Sequence, residues 1–183
     1  MALGIFEERS EGGSNFSGSI IHIDTIGNLR NEFTDSRRYS ELSPVIVGLI
    51  NKNKLKIEYA LDKPSISLLR SRIIALVNEF PKPYFAFNVP FVQAVLYHFT
   101  GEKIALAGEL NRKAFESRLF AIHALNISQY NDPFADQDKL CTQAWLQGEI
   151  EKCAAHARAC LLKERDILIK RGFRKPEEIK LRK

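Results

Sequence analysis

The chain has 183 residues, 45% hydrophobic and 27% charged, which are the proportions of a globular protein long enough for one sizeable core. No segment nears the roughly 18 uncharged apolar residues of a membrane span, and the start MALGIFEERSEGG turns acidic too early for a secretory signal, so a cytoplasmic protein without membrane association is expected. The net charge of +5 belongs to the tail: residues 170–183 carry seven basic against two acidic side chains, and the rest of the chain is balanced.

Residues 1–16 pair a short apolar start with SEGGSN, which reads as a loop. Ser19–Asp24 (SIIHID) is a bulky apolar run closed by Thr25-Ile26-Gly27-Asn28, the pattern of a buried strand ending in a turn. Leu29–Ser43 has no period and reads as irregular. Pro44–Ile50 is a second strand, and Asn51–Lys54 a polar turn. In the third strand Leu55, Ile57, Tyr59 and Leu61 alternate with Lys56, Glu58 and Ala60, so one face is buried. The two form an antiparallel hairpin. Pro64-Ser65 opens a helix whose Leu68, Leu69, Ile73, Leu76 and Val77 recur at helical spacing up to Phe80. Pro81-Lys82-Pro83 breaks it. Tyr84–Phe87 is a short aromatic strand, and Asn88-Val89-Pro90 turns the chain into a helix over Phe91–Phe99, capped by Gly101. Ile104–Leu106 reads as a weak strand, Phe115–Leu125 as a helix, and Asn131-Asp132-Pro133 as a loop.

The last third is helical. Leu140, Cys141, Ala144 and Trp145 form one stripe ending near Gly148; Ile150, Cys153, Ala154, Ala157, Cys160, Leu161 and Leu168 form a second, which Gly172 stops. A hairpin followed by alternating helix and strand implies an α/β fold, with a mixed sheet (antiparallel hairpin plus parallel strands) and helices on its faces. The expected organisation is one domain over residues 1–172 and a basic tail over 173–183.

Several polar residues stand at positions where chemistry or structure can use them. Asp24, at a strand end, satisfies turn amides or holds a metal. Asn88 caps the following helix. Phe91 serves the core or stacks on a base. His156 shares a helix face with Cys153 and Cys160, as a hydrogen-bonded buried histidine or a general base. The three cysteines lack a CxxC or paired zinc spacing and read as reduced thiols. Arg174 and Lys175 in the tail can neutralise phosphates. No P-loop or GxGxxG is present.

The element order and three local sequences resemble the ribonuclease-H-like 3′–5′ exonuclease superfamily, nearest to a predicted prokaryotic branch. In that family the first strand ends in Asp-x-Glu, a later helix begins Asn-x-x-Phe-Asp, and the last helix carries Tyr or His shortly before a final Asp. Ser19–Gly27 resembles the first motif, with Asp24 as its Asp and either Ile26 at the Glu position or, with a two-residue deletion, no counterpart of the Glu. Phe87–Val92 resembles the second: Asn88 and Phe91 match, and Val92 replaces Asp. His156-Ala157-Arg158-Ala159-Cys160 resembles the third, with Cys160 in place of Asp.

The resemblance spans roughly residues 17–172. It implies a site for two Mg or Mn ions in which Asp24 is the one carboxylate left in register, with His156 beside it. One such carboxylate does not offset two hard dications. The resemblance therefore implies an exonuclease-like domain with a degenerate two-metal site. Such a domain holds single-stranded nucleic acid or nucleic-acid ends, through Asn88, Phe91 and the tail residues Arg174 and Lys175. The alternatives are an active exonuclease whose ligands are displaced to Glu7, Glu8, Asp132, Asp136 or Asp138, and a protein-interaction module on the same fold.

Overall fold

The computed structural model describes residues 2–9, 16–114 and 116–183. In chain order these form β1 (Leu3–Arg9), β2 (Ser19–Ile26), a 3-10 turn (Ser36–Tyr39), β3 (Ser43–Ile50), β4 (Lys54–Ala60), α1 (Ile66–Asn78), β5 (Tyr84–Ala86), α2 (Val89–Thr100), β6 (Leu106–Glu109), α3 (Arg118–Ala124), α4 (Asp138–Leu146) and α5 (Ile150–Arg171). The strands make one mixed sheet in the order β1-β4-β3-β2-β5-β6. β1, β4, β3 and β2 pair antiparallel, whereas β5 is parallel to β2 and β6 parallel to β5. The α/β architecture with a mixed sheet, expected from the sequence, is thus what the chain adopts.

β2 is the strand at which the antiparallel half meets the parallel half. The chain leaves β2 toward β3 on one side and leaves β5 toward β6 on the other. The carboxyl ends of β2 and β5 therefore flank a crevice at a topological switch point, where open sheets bind ligands.

α1 packs on one face and α5 on the other, fixed by the two-residue side-chain period of the strands. Glu58 on β4 faces α1 and accepts from Arg72 there at 3.0 Å. His22 on β2 faces α5 and meets Glu164 there at 3.0 Å. Gly48 on β3 lies under α5. A Cβ at Gly48 would stand 2.7 Å from Leu161 Cδ1, so the glycine is what lets the helix approach the sheet. Gly148, with φ +82°, takes the left-handed turn that separates α4 from α5.

The structure departs from the sequence reading at β1, β6, α3 and the tail. β1 is an added edge strand, paired residue for residue with β4 from Leu3↔Ala60 to Arg9↔Lys54. Its pattern is too polar to announce a strand because one edge and much of its surface stay wet. The loop expected over SEGGSN lies outside the described residues. β6 begins two residues later than expected, and α3 begins at Arg118, with Phe115 outside the described residues. The tail folds back over the molecule. Arg174 and Glu109 exchange backbone hydrogen bonds of 2.9 Å in both directions, and the Ser36 amide donates to the Lys180 carbonyl at 3.1 Å. No helix among the described residues is long and apolar enough to cross a membrane.

Candidate functional site

Ile20, His22 and Asp24 share one face of β2, turned toward α5. The facing stripe of α5 is Cys153, His156, Cys160, Lys163 and Glu164, all buried. So polar groups from strand and helix meet where an α/β core is ordinarily apolar. Arg118, first residue of α3, and Asp132, Asp136 and Asp138, from the segment leading into α4, complete the cluster.

These groups close into a ring. Glu164 Oε1 accepts from His22 Nδ1 at 3.0 Å and from Arg118 at 3.2 Å. Arg118 also donates to Asp136 at 3.1 Å and to Asp138 at 2.6 Å. Lys163, with no exposed surface, donates to Asp132 at 2.7 Å and to Asp136 at 2.9 Å. His156 bridges Asp132, 2.7 Å from Nδ1, and Asp138, 3.3 Å from Nε2. Burial on its own would lower the His156 pKa; hydrogen bonds to Asp132 and Asp138 outweigh it and hold the ring as imidazolium. Burial likewise opposes protonation of His22, and the charges of Asp24 and Glu164 reverse the balance, raising its pKa well above 6.5. Burial would raise Asp132, but His156 and Lys163 keep it far below the ordinary carboxylate range.

The ring also holds the 126–136 segment in shape. Asn126, Tyr130, Asn131, Ala135 and Asp136 have φ between +48° and +65°, a left-handed conformation that costs side-chain-bearing residues on the order of 1 kcal/mol each. Asp132 offsets part of this by accepting from the Phe134 amide at 2.9 Å and the Asp136 amide at 3.0 Å.

Above the ring lies a cleft of about 360 Å³, lined among others by His22, Phe87, Asn88, Phe91, Val92 and Arg118. It opens at the switch point of the sheet. The Asn88 side chain caps α2 by accepting from the Phe91 amide at 3.4 Å, with its own φ at +61°. Phe91 is half-buried at the mouth, edge-on to Tyr39 with ring centroids 5.7 Å apart. Val92, where the resembled motif has Asp, presents a hydrocarbon wall to the cleft.

The structure brings together Asp24, His156, Asp132, Asp136 and Asp138, which lie far apart in sequence. Asp24 is 7% exposed and sits behind His22, whose Nε2 is 3.3 Å from Asp24 Oδ2. Glu7 and Glu8 lie apart from this cluster, on edge strand β1, where Glu8 pairs with Arg158 at 2.8 Å. Arg174 is engaged by Glu109 at 3.0 Å and by the Asn111 carbonyl at 2.7 Å, while Lys175 is exposed beside a shallow surface groove. His22, Arg118, Lys163 and Glu164 are the members that sequence reasoning missed. His22 was legible as the residue two before Asp24 on the same strand face. Lys163 and Glu164 continue the Cys153–His156–Cys160 stripe at helical spacing. Arg118 carries no such signal.

This donor set does not fit a pair of Mg or Mn ions. Asp132, Asp136, Asp138 and Glu164 each already accept from an internal cation. Only Asp24 Oδ2 and Glu164 Oε2 remain as buried carboxylate oxygens without a hydrogen-bond partner among the described residues. Cys160, 3.5 Å from His156 Nε2, is a soft donor where a hard ion needs oxygen. Comparison with family models, with curated proteins and with solved structures finds no match to this chain.

Proposed function

We propose that the chain is a ribonuclease-H-like domain of the 3′–5′ exonuclease type that binds nucleic-acid ends and does not cleave them. The observation that carries this reading is the ring itself. Arg118, Lys163 and the two protonated histidines stand among the carboxylates in the role that divalent metals would have, so the anionic site is compensated from within. Two further features support it. The segments of β2 and of the start of α2 that resemble the first two motifs line one cleft at the switch point of the sheet, and α5, which carries the third, adds Glu164 to its wall. The cleft's volume falls within the roughly 300–1,000 Å³ of ligand pockets, and Phe91 and Asn88 stand at its mouth.

The test has two arms. A 3′-labelled single-stranded oligonucleotide incubated with Mg²⁺ or Mn²⁺ stays intact, and a 5′-fluorescent strand binds in an anisotropy titration. Phe91→Ala weakens that binding by about tenfold, the loss of one base-stacking contact of roughly 1–3 kcal/mol. Laddering that disappears in Asp24→Ala identifies an active exonuclease with displaced ligands and overturns the proposal. Binding that survives Phe91→Ala and vanishes when residues 173–183 are removed leaves the cleft vestigial, and favours the interaction module.

A further inference from the structure

All three cysteines of the chain are buried thiols, and their spacing hides what the fold does with them. Cys141 on α4 is brought beside Asp24 on β2 and His156 on α5, so that one donor atom from each lies within 4.8 Å of the other two. All three residues are more than nine-tenths buried. Asp24 Oδ2 makes no hydrogen bond among the described residues; its contact with His22 Nε2, at 3.3 Å, is an ion pair, so this buried carboxylate oxygen keeps acceptor capacity for a further ligand. We propose that Asp24, Cys141 and His156 form a binding site for one borderline-soft divalent ion of the Zn²⁺ class.

The chemistry of the donors selects the ion. Thiolate, imidazole and a single carboxylate oxygen suit zinc and discriminate against magnesium, which demands oxygen ligands in an octahedron. A tetrahedral zinc site with bonds of about 2.0–2.3 Å sets its donors roughly 3.3–3.8 Å apart. A side-chain shift of about an ångström closes the observed set on such an ion. His156 is already oriented for this role. Its Nδ1 is held by Asp132 at 2.7 Å, the carboxylate–histidine arrangement that fixes the other ring nitrogen as ligand.

A second grouping, Asp132 with His156 and Cys160, meets the same distance condition. It is the weaker donor set, because Asp132 is committed to Lys163 and to two backbone amides. Ligation at the favoured set replaces the His156 proton and the Cys141 thiol proton by one dication. The net charge of the buried cluster is unchanged, so loading the site adds no uncompensated charge to the core.

The experiment uses the whole chain, stripped with chelator and titrated with Co²⁺ as a coloured stand-in for Zn²⁺. The expected result is a thiolate-to-cobalt charge-transfer band that saturates at one ion per chain and is bleached by Zn²⁺, with no thermal stabilisation by Mg²⁺. Cys141→Ser removes the band. Asp24→Asn keeps it and weakens Zn²⁺ binding by about tenfold or more. Cys153→Ser, outside the donor set, keeps band and affinity. Cooperative melting of each variant checks that it folds. A wild-type chain that gives no band overturns the site, as does a band that persists in Cys141→Ser or is lost in Cys153→Ser alone.

Discussion

Lys163 is the residue on which the ionic ring depends most. Its ammonium is wholly buried, and two carboxylates, Asp132 and Asp136, accept from it. Replacing it with Leu preserves bulk and deletes the charge, stranding two buried anions. The expected cost is about 3–5 kcal/mol, the range for removing one partner of a buried pair, measured by urea or guanidinium unfolding. A change below about 1 kcal/mol would show that the pair had been isolated from the fold's energetics. Asp24 teaches a different lesson at this scale. It is legible in sequence as a strand-end carboxylate, yet burial and the intervening His22 turn it away from the cleft and toward α4 and α5. Its surroundings combine His22, two residues away, with Cys141 and His156, more than 100 residues distant in the chain.

At the scale of elements, the end of α5 and the tail are locked to the rest by two charge pairs. Arg171 clamps Glu116 with contacts of 2.9 and 2.7 Å. Burial would raise the Glu116 pKa, but the Arg171 guanidinium and the Arg112 amide outweigh it and hold the carboxyl below its ordinary value. A depressed carboxyl contributes stability above its unfolded pKa and loses it as pH falls through the folded value. Glu116→Gln is therefore less stable than wild type by about 1–3 kcal/mol at neutral pH. The gap narrows as pH drops below 4.5; denaturation curves at several pH values check this, and a gap that stays constant into acid contradicts the assignment. Arg174 anchors the tail to the buried Glu109 at 3.0 Å and is itself about a quarter exposed. Solvent screening reduces the pair's worth, so Arg174→Ala should lower stability by about 2 kcal/mol. It should also loosen the tail, read as faster amide exchange at Ser36 and Arg182, whose N–H groups donate to the Lys180 carbonyl and to the Ser36 hydroxyl and hold the far end.

At the scale of the whole molecule, the mixed sheet decides where chemistry can happen. The sequence by itself determined most of the elements: the buried run of β2, the hairpin of β3 and β4, the amphipathic α1, the Asn88 cap and Gly101 stop of α2, and the split of the last third at Gly148. These follow from local rules, namely side-chain period, capping and left-handed turns, which act over a few residues. It also marked Asp24, Asn88, Phe91, His156 and the three aspartates before and at the start of α4. β1 was not legible, because an edge strand with a wet face lacks the apolar alternation that marks a buried one. Nor was Arg118, since nothing local distinguishes it from a surface arginine. What only the tertiary structure decided is the pairing. Strand order placed β2 beside β5, and α5 crossed that junction with its polar stripe facing inward. In that low-dielectric setting each carboxylate took an internal cation as partner. Charge compensation acts through space between residues remote in the chain, and no spacing rule in one dimension encodes it.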